Sequence, residues 1–258
     1  MHSVIYAGLT YAEIPGFRPL LLDLHVPDDV TGTGGVPVVV WIHGGGFAFG
    51  DRRYLPPTLE PNSVFSALNK AGLACATVDY RLLREARWPA QRDDIVGAIS
   101  FVRASAGEYG LDAARIGTWG ESAGGHLALM AGLTDPGISA VVAWYPLTDL
   151  RLLPPGAFDG TTRPRLFDRR AVDLPALMAD ASPITHITDS SPPCLLVHGD
   201  RDQALPAVHS ERFHEALMAA GVESACQIVP GADHCFEGYS DVPGLIDDAV
   251  TYLQGKLR

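Results

Sequence analysis

A serine hydroxyl is a weak nucleophile near neutral pH. It needs a base within hydrogen-bond reach, and the base needs an orienting carboxylate. This sequence of 258 residues offers candidates for all of these, in the order serine, aspartate, histidine. Ser122 lies in Gly120-Glu121-Ser122-Ala123-Gly124-Gly125, a G-x-S-x-G pentapeptide. A serine there occupies a sharp, strained strand-to-helix turn. The glycines two residues to either side let the neighbouring chain pass without Cβ clashes. The turn sets the N–H of Ala123 at a helix start, where an oxyanion would form. A plain glycine-rich turn is the competing reading, and the strand–turn–helix context argues against it.

The expected base is His234, in Gly231-Ala232-Asp233-His234-Cys235-Phe236, directly after the last apolar run. A histidine in that loop can hang over the edge of a sheet. The expected orienter is Asp202 in Asp200-Arg201-Asp202. Asp200 is its rival, although a place directly beside a strand end suits a structural turn. His43-Gly44-Gly45-Gly46 follows another apolar run, and its bare backbone lets N–H groups face the site. The other use of such a loop is to cradle phosphate. No Lys-Ser/Thr follows the glycines here, and no G-x-G-x-x-G spacing occurs. Glu121 either tunes the site or answers a helix dipole. His126 reads as packing.

The elements needed to place these groups are visible in the patterning. Residues about 3–11 and 18–26 alternate loosely, like an antiparallel edge pair. Near-continuous apolar runs at about 36–43, 73–78, 116–119, 138–145, 194–198 and 225–229 read as strands, most of them buried on both faces. Helical patterns fall between them: from an Asn62 or Ser63 cap to Gly72, about 90–106, after the Ser122 turn, about 207–220, and about 245–257. That alternation predicts an α/β fold. It is a mostly parallel sheet of about eight strands with helices on both faces, in a single domain over 1–258. Residues about 147–191 break the rhythm, and a connection of that length suggests a cap. Its apolar residues, Phe158 and Phe167 among them, are expected to pack at the mouth of the site. Arg163, Arg165, Arg169 and Arg170 form a basic cluster there, as a solvated cap surface or as a pocket for an acid.

Together, His43-Gly44-Gly45-Gly46-Phe47, Asp79-Tyr80-Arg81, Gly120-Glu121-Ser122-Ala123-Gly124-Gly125, His198-Gly199-Asp200-Arg201-Asp202 and Asp233-His234 resemble the α/β-hydrolase carboxylesterases related to hormone-sensitive lipase. The resemblance covers nearly the whole chain. It implies Ser122 as nucleophile with Asp202 and His234 as partners, and the N–H groups of Gly45, Gly46 and Ala123 as an oxyanion hole. Only two strands fit before His43. This is more similar to the compact bacterial branch, which holds acetyl and feruloyl esterases and kynurenine-formamidase-like amidases.

Composition narrows the classes of partner. A hydrophobic content of 47% suffices for one large core, and the net charge of −11 leaves no basic excess for nucleic acid or anionic membrane. No stretch reaches transmembrane length, and the first residues lack a signal-peptide pattern. Cys75, Cys194, Cys226 and Cys235 show no C-x-x-C spacing, so reduced thiols in a cytoplasmic protein are expected. No metal-ligand cluster appears, and no cofactor is expected. The expectation is therefore a serine carboxylesterase for small acyl esters, with Phe47, Glu121, Phe158 and Phe167 lining the substrate pocket. Amide hydrolysis, as by an arylformamidase, and lactone hydrolysis are open to the same groups. A ligand receptor of the same fold is the reading from outside enzymology. Oligomeric state is not readable.

Overall fold

The computed structural model describes residues 3–28, 34–154, 157, 166–168 and 173–258. Its centre is β3 (Val36–Ile42), whose sequence VPVVVWI is apolar on both faces. Side chains alternate across a strand. Val38, Val40 and Ile42 accordingly join one core cluster, and Val39 and Trp41 join the other. The same logic builds β4 (Ala74–Val78), β5 (Leu111–Glu121), β6 (Ile138–Trp144), β7 (Cys194–Gly199) and β8 (Ser224–Val229). The antiparallel pair β1 (Ser3–Ala12) and β2 (Leu20–Pro27) completes one edge.

The eight strands run in the order β1-β2-β4-β3-β5-β6-β7-β8. From β3 to β8 every pairing is parallel, whereas β2 meets β4 antiparallel. The chain leaves β3 towards β4 and then returns to β3's other side as β5. That reversal opens a crevice at the C-terminal ends of β3 and β5, where ligands bind in open α/β sheets. His43 and Ser122 follow those two ends.

Helices α2 (Ala90–Ala104), α3 (Ala123–Thr134) and α5 (Val208–Ala219) cover one face. The other carries α1 (Ser63–Lys70) and α6 (Val242–Lys256). On that second face Trp41, Trp119 and Trp144 from three adjacent strands meet edge to face. Their ring centroids are 5.4, 4.9 and 6.4 Å apart. The trio is fully buried and fills the sheet directly beneath the crevice, which sets the strand ends rigidly.

Three details depart from the sequence reading. β5 starts at Leu111, five residues before its apolar core. Asn62 stands at the α1 N-cap, but in a left-handed conformation (φ 61°) with no side-chain cap bond. Among the described residues of 147–191 there are two short 3₁₀ turns and one helix, α4 (Leu174–Asp180). Leu166 is buried in the core beside α2 and α3, and Leu153, Phe167 and Met178 pack against it. The Trp88 N–H donates to the Leu166 carbonyl at 2.9 Å. The apolar side chains described in this segment thus extend the main core rather than roof the crevice. Phe158 and the cluster Arg163, Arg165, Arg169 and Arg170 lie outside the described residues. All four cysteines are free; Cys75 and Cys194 are buried, and Cys226 and Cys235 half-buried. No described helix is long and apolar enough to cross a membrane.

Candidate active site

Ser122 has φ 54° and ψ −117°, between the last residue of β5 and the first of α3. Two glycines make that turn possible. A Cβ on Gly120 would lie 2.2 Å from the Gly124 carbonyl oxygen, and one on Gly124 would lie 2.0 Å from that of Ile42. Both distances are far inside van der Waals contact, so only glycine lets α3 close on β3 and β5 here. The Ser122 N–H donates to the Trp144 carbonyl at 2.9 Å, which pins the turn to β6.

Ser122 Oγ is 3.1 Å from His234 Nε2, and His234 Nδ1 is 2.7 Å from Asp202 Oδ2. The carboxylate can only accept, so Nδ1 carries the proton and Nε2 is left to accept from the serine. Asp202 Oδ1 in turn accepts from the N–H groups of Ala204 at 2.9 Å and Leu205 at 2.7 Å. Burial works to raise this carboxyl, but hydrogen bonds from His198 and His234 outweigh it and hold the group well below the usual range. Asp233 binds the two loops together. Its Oδ1 accepts from the Gln203 N–H at 3.0 Å and the His234 N–H at 2.6 Å. Asp200 faces away and accepts from the Gly231 N–H at 2.7 Å, a turn contact. Of the two aspartates, only Asp202 reaches the histidine.

The glycine loop after β3 bends back through Gly45 (φ 89°) and Gly46 (φ 60°), both on the wall of the cavity above Ser122. A Cβ on Gly45 would meet the Phe49 carbonyl oxygen at 2.2 Å. Two buried side chains hold this loop. Glu121 Oε1 accepts from the Gly44 N–H at 2.6 Å. The Tyr80 hydroxyl lies 3.0 Å from the carbonyl oxygens of His43 and Gly44. The Tyr80 ring also stacks on His43 at 4.3 Å. Ala123, at the start of α3, carries the opposing N–H.

Glu121 is 1% exposed, and burial lifts its carboxyl to about 7 against the opposing pull of the Gly44 N–H and His234. Burial also pushes the Cys235 thiol up to about 12, which keeps it protonated and unreactive near neutral pH. The cavity measures about 540 Å3 and is walled by Gly45, Gly46, Glu121, Ser122 and His234, with exposed Phe49 and Arg84 at its rim.

Two expected pocket residues are not in that wall. Phe47 is 1% exposed and packs edge to face on His126 at 5.2 Å. The loop reverses at Phe47 (φ 60°), which drives its ring into the core and presents Phe49 instead. Phe167 packs on the core, as described above. Glu121 does line the cavity, as expected, although its partner is the loop after β3 and not a helix end. His126 packs: its Nδ1 is 2.9 Å from the Leu147 carbonyl oxygen. Sequence reasoning missed Tyr80, Tyr145 and His198. Tyr145 meets the His234 ring edge to face at 4.9 Å. Tyr80 and His198 stood in the motifs Asp79-Tyr80-Arg81 and His198-Gly199-Asp200-Arg201-Asp202 with no role read for them, and the signal for Tyr145 was its place directly after β6.

A family model described as BD-FAE matches residues 22–217. Esterase LipC of Mycobacterium tuberculosis is 33% identical over 219 residues, which cover 78% of this chain and 53% of the relative. An acetyl esterase of Salmonella schwarzengrund is 29% identical over 233 residues, covering 83% of this chain and 69% of the relative. The chain spans 53 to 60% of the mycobacterial esterases it matches. Among solved structures, a truncated form of a carbohydrate esterase from gut microbiota superposes with a TM-score of 0.81 at 24% identity. That superposition covers 98% of this chain and 97% of the other. At that identity the likeness bears on fold alone. The sheet order, the Ser122 turn and the matched stretch agree: the chain has the α/β-hydrolase fold and belongs to the BD-FAE family.

Proposed function

We propose that the protein is a serine carboxylesterase that hydrolyses small acyl esters through an acyl-enzyme. The observation that carries this is the unbroken hydrogen-bonded chain from Ser122 Oγ through His234 to Asp202, at the floor of a cavity walled by bare glycine backbone. Ser122 Oγ attacks the ester carbonyl carbon while His234 Nε2 takes its proton. Asp202 stabilises the imidazolium that forms. The carbonyl oxygen becomes an oxyanion and accepts from the N–H groups of Gly45, Gly46 and Ala123. As the C–O bond to the alcohol breaks, His234 returns the proton to the leaving oxygen. Water, deprotonated by the same nitrogen, then attacks the acyl carbon, and Ser122 leaves with the proton as the acid is released.

The names of the relatives, esterase and acetyl esterase, support the ester class and a short acyl group. Four free cysteines support a reducing, cytoplasmic setting. The test is hydrolysis of p-nitrophenyl acetate by purified protein and by Ser122→Ala. The substitution removes one oxygen from a residue that is 8% exposed, so the fold should be unchanged by circular dichroism. Turnover should fall by about 10³-fold or more. A variant as fast as the wild type overturns the proposal.

A further inference from the structure

Asp202 Oδ2 has a second histidine beside it. His198, the next-to-last residue of β7, places Nε2 at 3.3 Å from this oxygen and at 2.7 Å from the Leu205 carbonyl oxygen. Both neighbours of Nε2 are acceptors, so Nε2 carries a proton, which is donated to the Leu205 carbonyl with the Asp202 oxygen beside it. On the far side of the ring, Nδ1 is 2.8 Å from Ser210 Oγ in α5. This contact ties the other edge of the ring to α5. His198, Ser210 and the Asp202 side chain are all fully buried, so no water competes for these positions.

Resting on the roles proposed for Ser122, His234 and Asp202, we propose that His198 is a positioning residue: its Nε2–H ties the Leu205 carbonyl and lies against Asp202 Oδ2, and so keeps the carboxylate turned towards His234. Ala204 and Leu205 hold Oδ1, and His234 binds Oδ2 with the polar edge of His198 against it at 3.3 Å. Rotation of the carboxylate would break bonds at both oxygens. A carboxylate held this way keeps its charge when His234 becomes an imidazolium, so the proton stays on the base. Contact with His198 is foremost among the interactions that keep Asp202 ionised despite burial. Other charged or titratable groups that bear on this cluster are His209 and Arg212 of α5, Asp149 after β6, Asp233 and Cys235 beside His234, and Glu121 at the end of β5.

The test compares His198→Gln, whose amide nitrogen can stand near the Nε2 position, with His198→Leu, which fills the space but donates nothing. Each is assayed on p-nitrophenyl acetate across pH 5 to 9, beside Ser122→Ala. Each is also examined by proton NMR for the deshielded Nδ1 proton of His234. The leucine variant should lose about tenfold in kcat, the scale on which partners one shell removed from the chemistry act. Without His198 the negative charge of Asp202 falls more heavily on His234, so the acid limb of kcat/KM should move to higher pH. The Nδ1 resonance should shift or broaden. The glutamine variant should restore the limb and the resonance and stay within a few-fold in rate. A leucine variant with an unchanged pH profile and resonance overturns the proposal, as do equal losses in both variants. If the leucine variant does not fold, Ser210→Ala decides. It releases the ring from α5 and should move the limb and the resonance in the same direction; no movement in either overturns the proposal. A wild type inactive on esters would sink the esterase reading alone, because the resonance reports on His198 and Asp202 without turnover.

Discussion

Glu121 is a carboxyl group out of water, one residue from Ser122, with a backbone N–H as its hydrogen-bond partner. An unfolded glutamate ionises near 4.5, and this one near 7 when folded. Between those values the folded chain holds a proton that the unfolded chain has released. Stability from this group therefore falls as pH rises from about 4.5 to 7 and is level above that. A glutamine amide in its place would still accept from the Gly44 N–H and would not titrate. Glu121→Gln should gain stability on the wild type as pH rises from 5 to 8, by roughly 3 kcal/mol at most. Urea midpoints at the two pH values measure this, and a constant difference would remove the titration from Glu121. The two aspartates after β7 make a second contrast. Asp202→Asn loses the charge facing His234 and should lower kcat by about 10⁴-fold, whereas Asp200→Asn, at a turn, should stay near wild type. Equal losses would reassign the orienting role. Ser122, Asp202 and His234 could be found in the sequence because each is tethered within a few residues of a strand end. The pocket aromatics could not, because a single reversal at Phe47 decides which of Phe47 and Phe49 faces the cavity, and that reversal has no spacing signature.

The loop that carries Gly45, Gly46, Phe49 and Tyr54 is held by strands it does not belong to. Arg52 Nε donates to Asp23 of β2 at 2.7 Å, and its Nη1 donates to Asp79, just past β4, at 3.2 Å. Its backbone N–H donates to Asp79 as well, at 2.8 Å. Both carboxylates are nearly buried, at 3% and 4% exposed, so each needs its cation. Tyr80 and the Arg81–Asp94 pair continue the brace, which gives Asp79-Tyr80-Arg81 a structural meaning. Arg52→Met would take one cation from each carboxylate, while Arg18 stays 3.6 Å from Asp79. Arg53 still reaches Asp23 at 2.7 Å, so the cost should be about 2 kcal/mol, below the full penalty for a broken buried pair. The freed loop should also lower kcat about tenfold or more, since small misplacements of catalytic donors are costly. Chemical denaturation and initial rates check the two parts separately; lost stability with unchanged kcat would uncouple the brace from the site. Strands buried on both faces stand out in sequence because nothing polar interrupts them. The first half of β5 does not, since Asp112 and Arg115 pair with one another at 2.7 Å and keep that stretch polar. The Arg52 brace is equally invisible, because its carboxylates are 29 and 27 residues away along the chain.

The molecule as a whole sets how long an acyl chain can be. The cavity of about 540 Å3 is floored by the polar groups of Ser122, Glu121 and His234 and walled by the glycine loop. None of the residues that line it comes from the described part of 147–191. There Leu153, Phe167 and Met178 are spent on the core beside α2 and α3, and α4 has only seven residues, none of them buried. The described chain thus offers an acyl group some apolar surface near Phe49 and Leu205 and no long apolar tunnel beyond it. Each methylene that finds apolar cover adds about 0.8 kcal/mol, and one that does not adds nothing or costs strain. Across p-nitrophenyl esters from acetate to laurate, kcat/KM should therefore peak at acyl chains of about two to six carbons and decline beyond them. With α4 too short to serve as an amphipathic lid, the rate should rise smoothly with substrate concentration through the solubility limit and show no jump at an oil–water interface. A maximum at twelve carbons, or strong interfacial activation, would mean that an apolar surface closes over the crevice and that the substrate is a long-chain lipid.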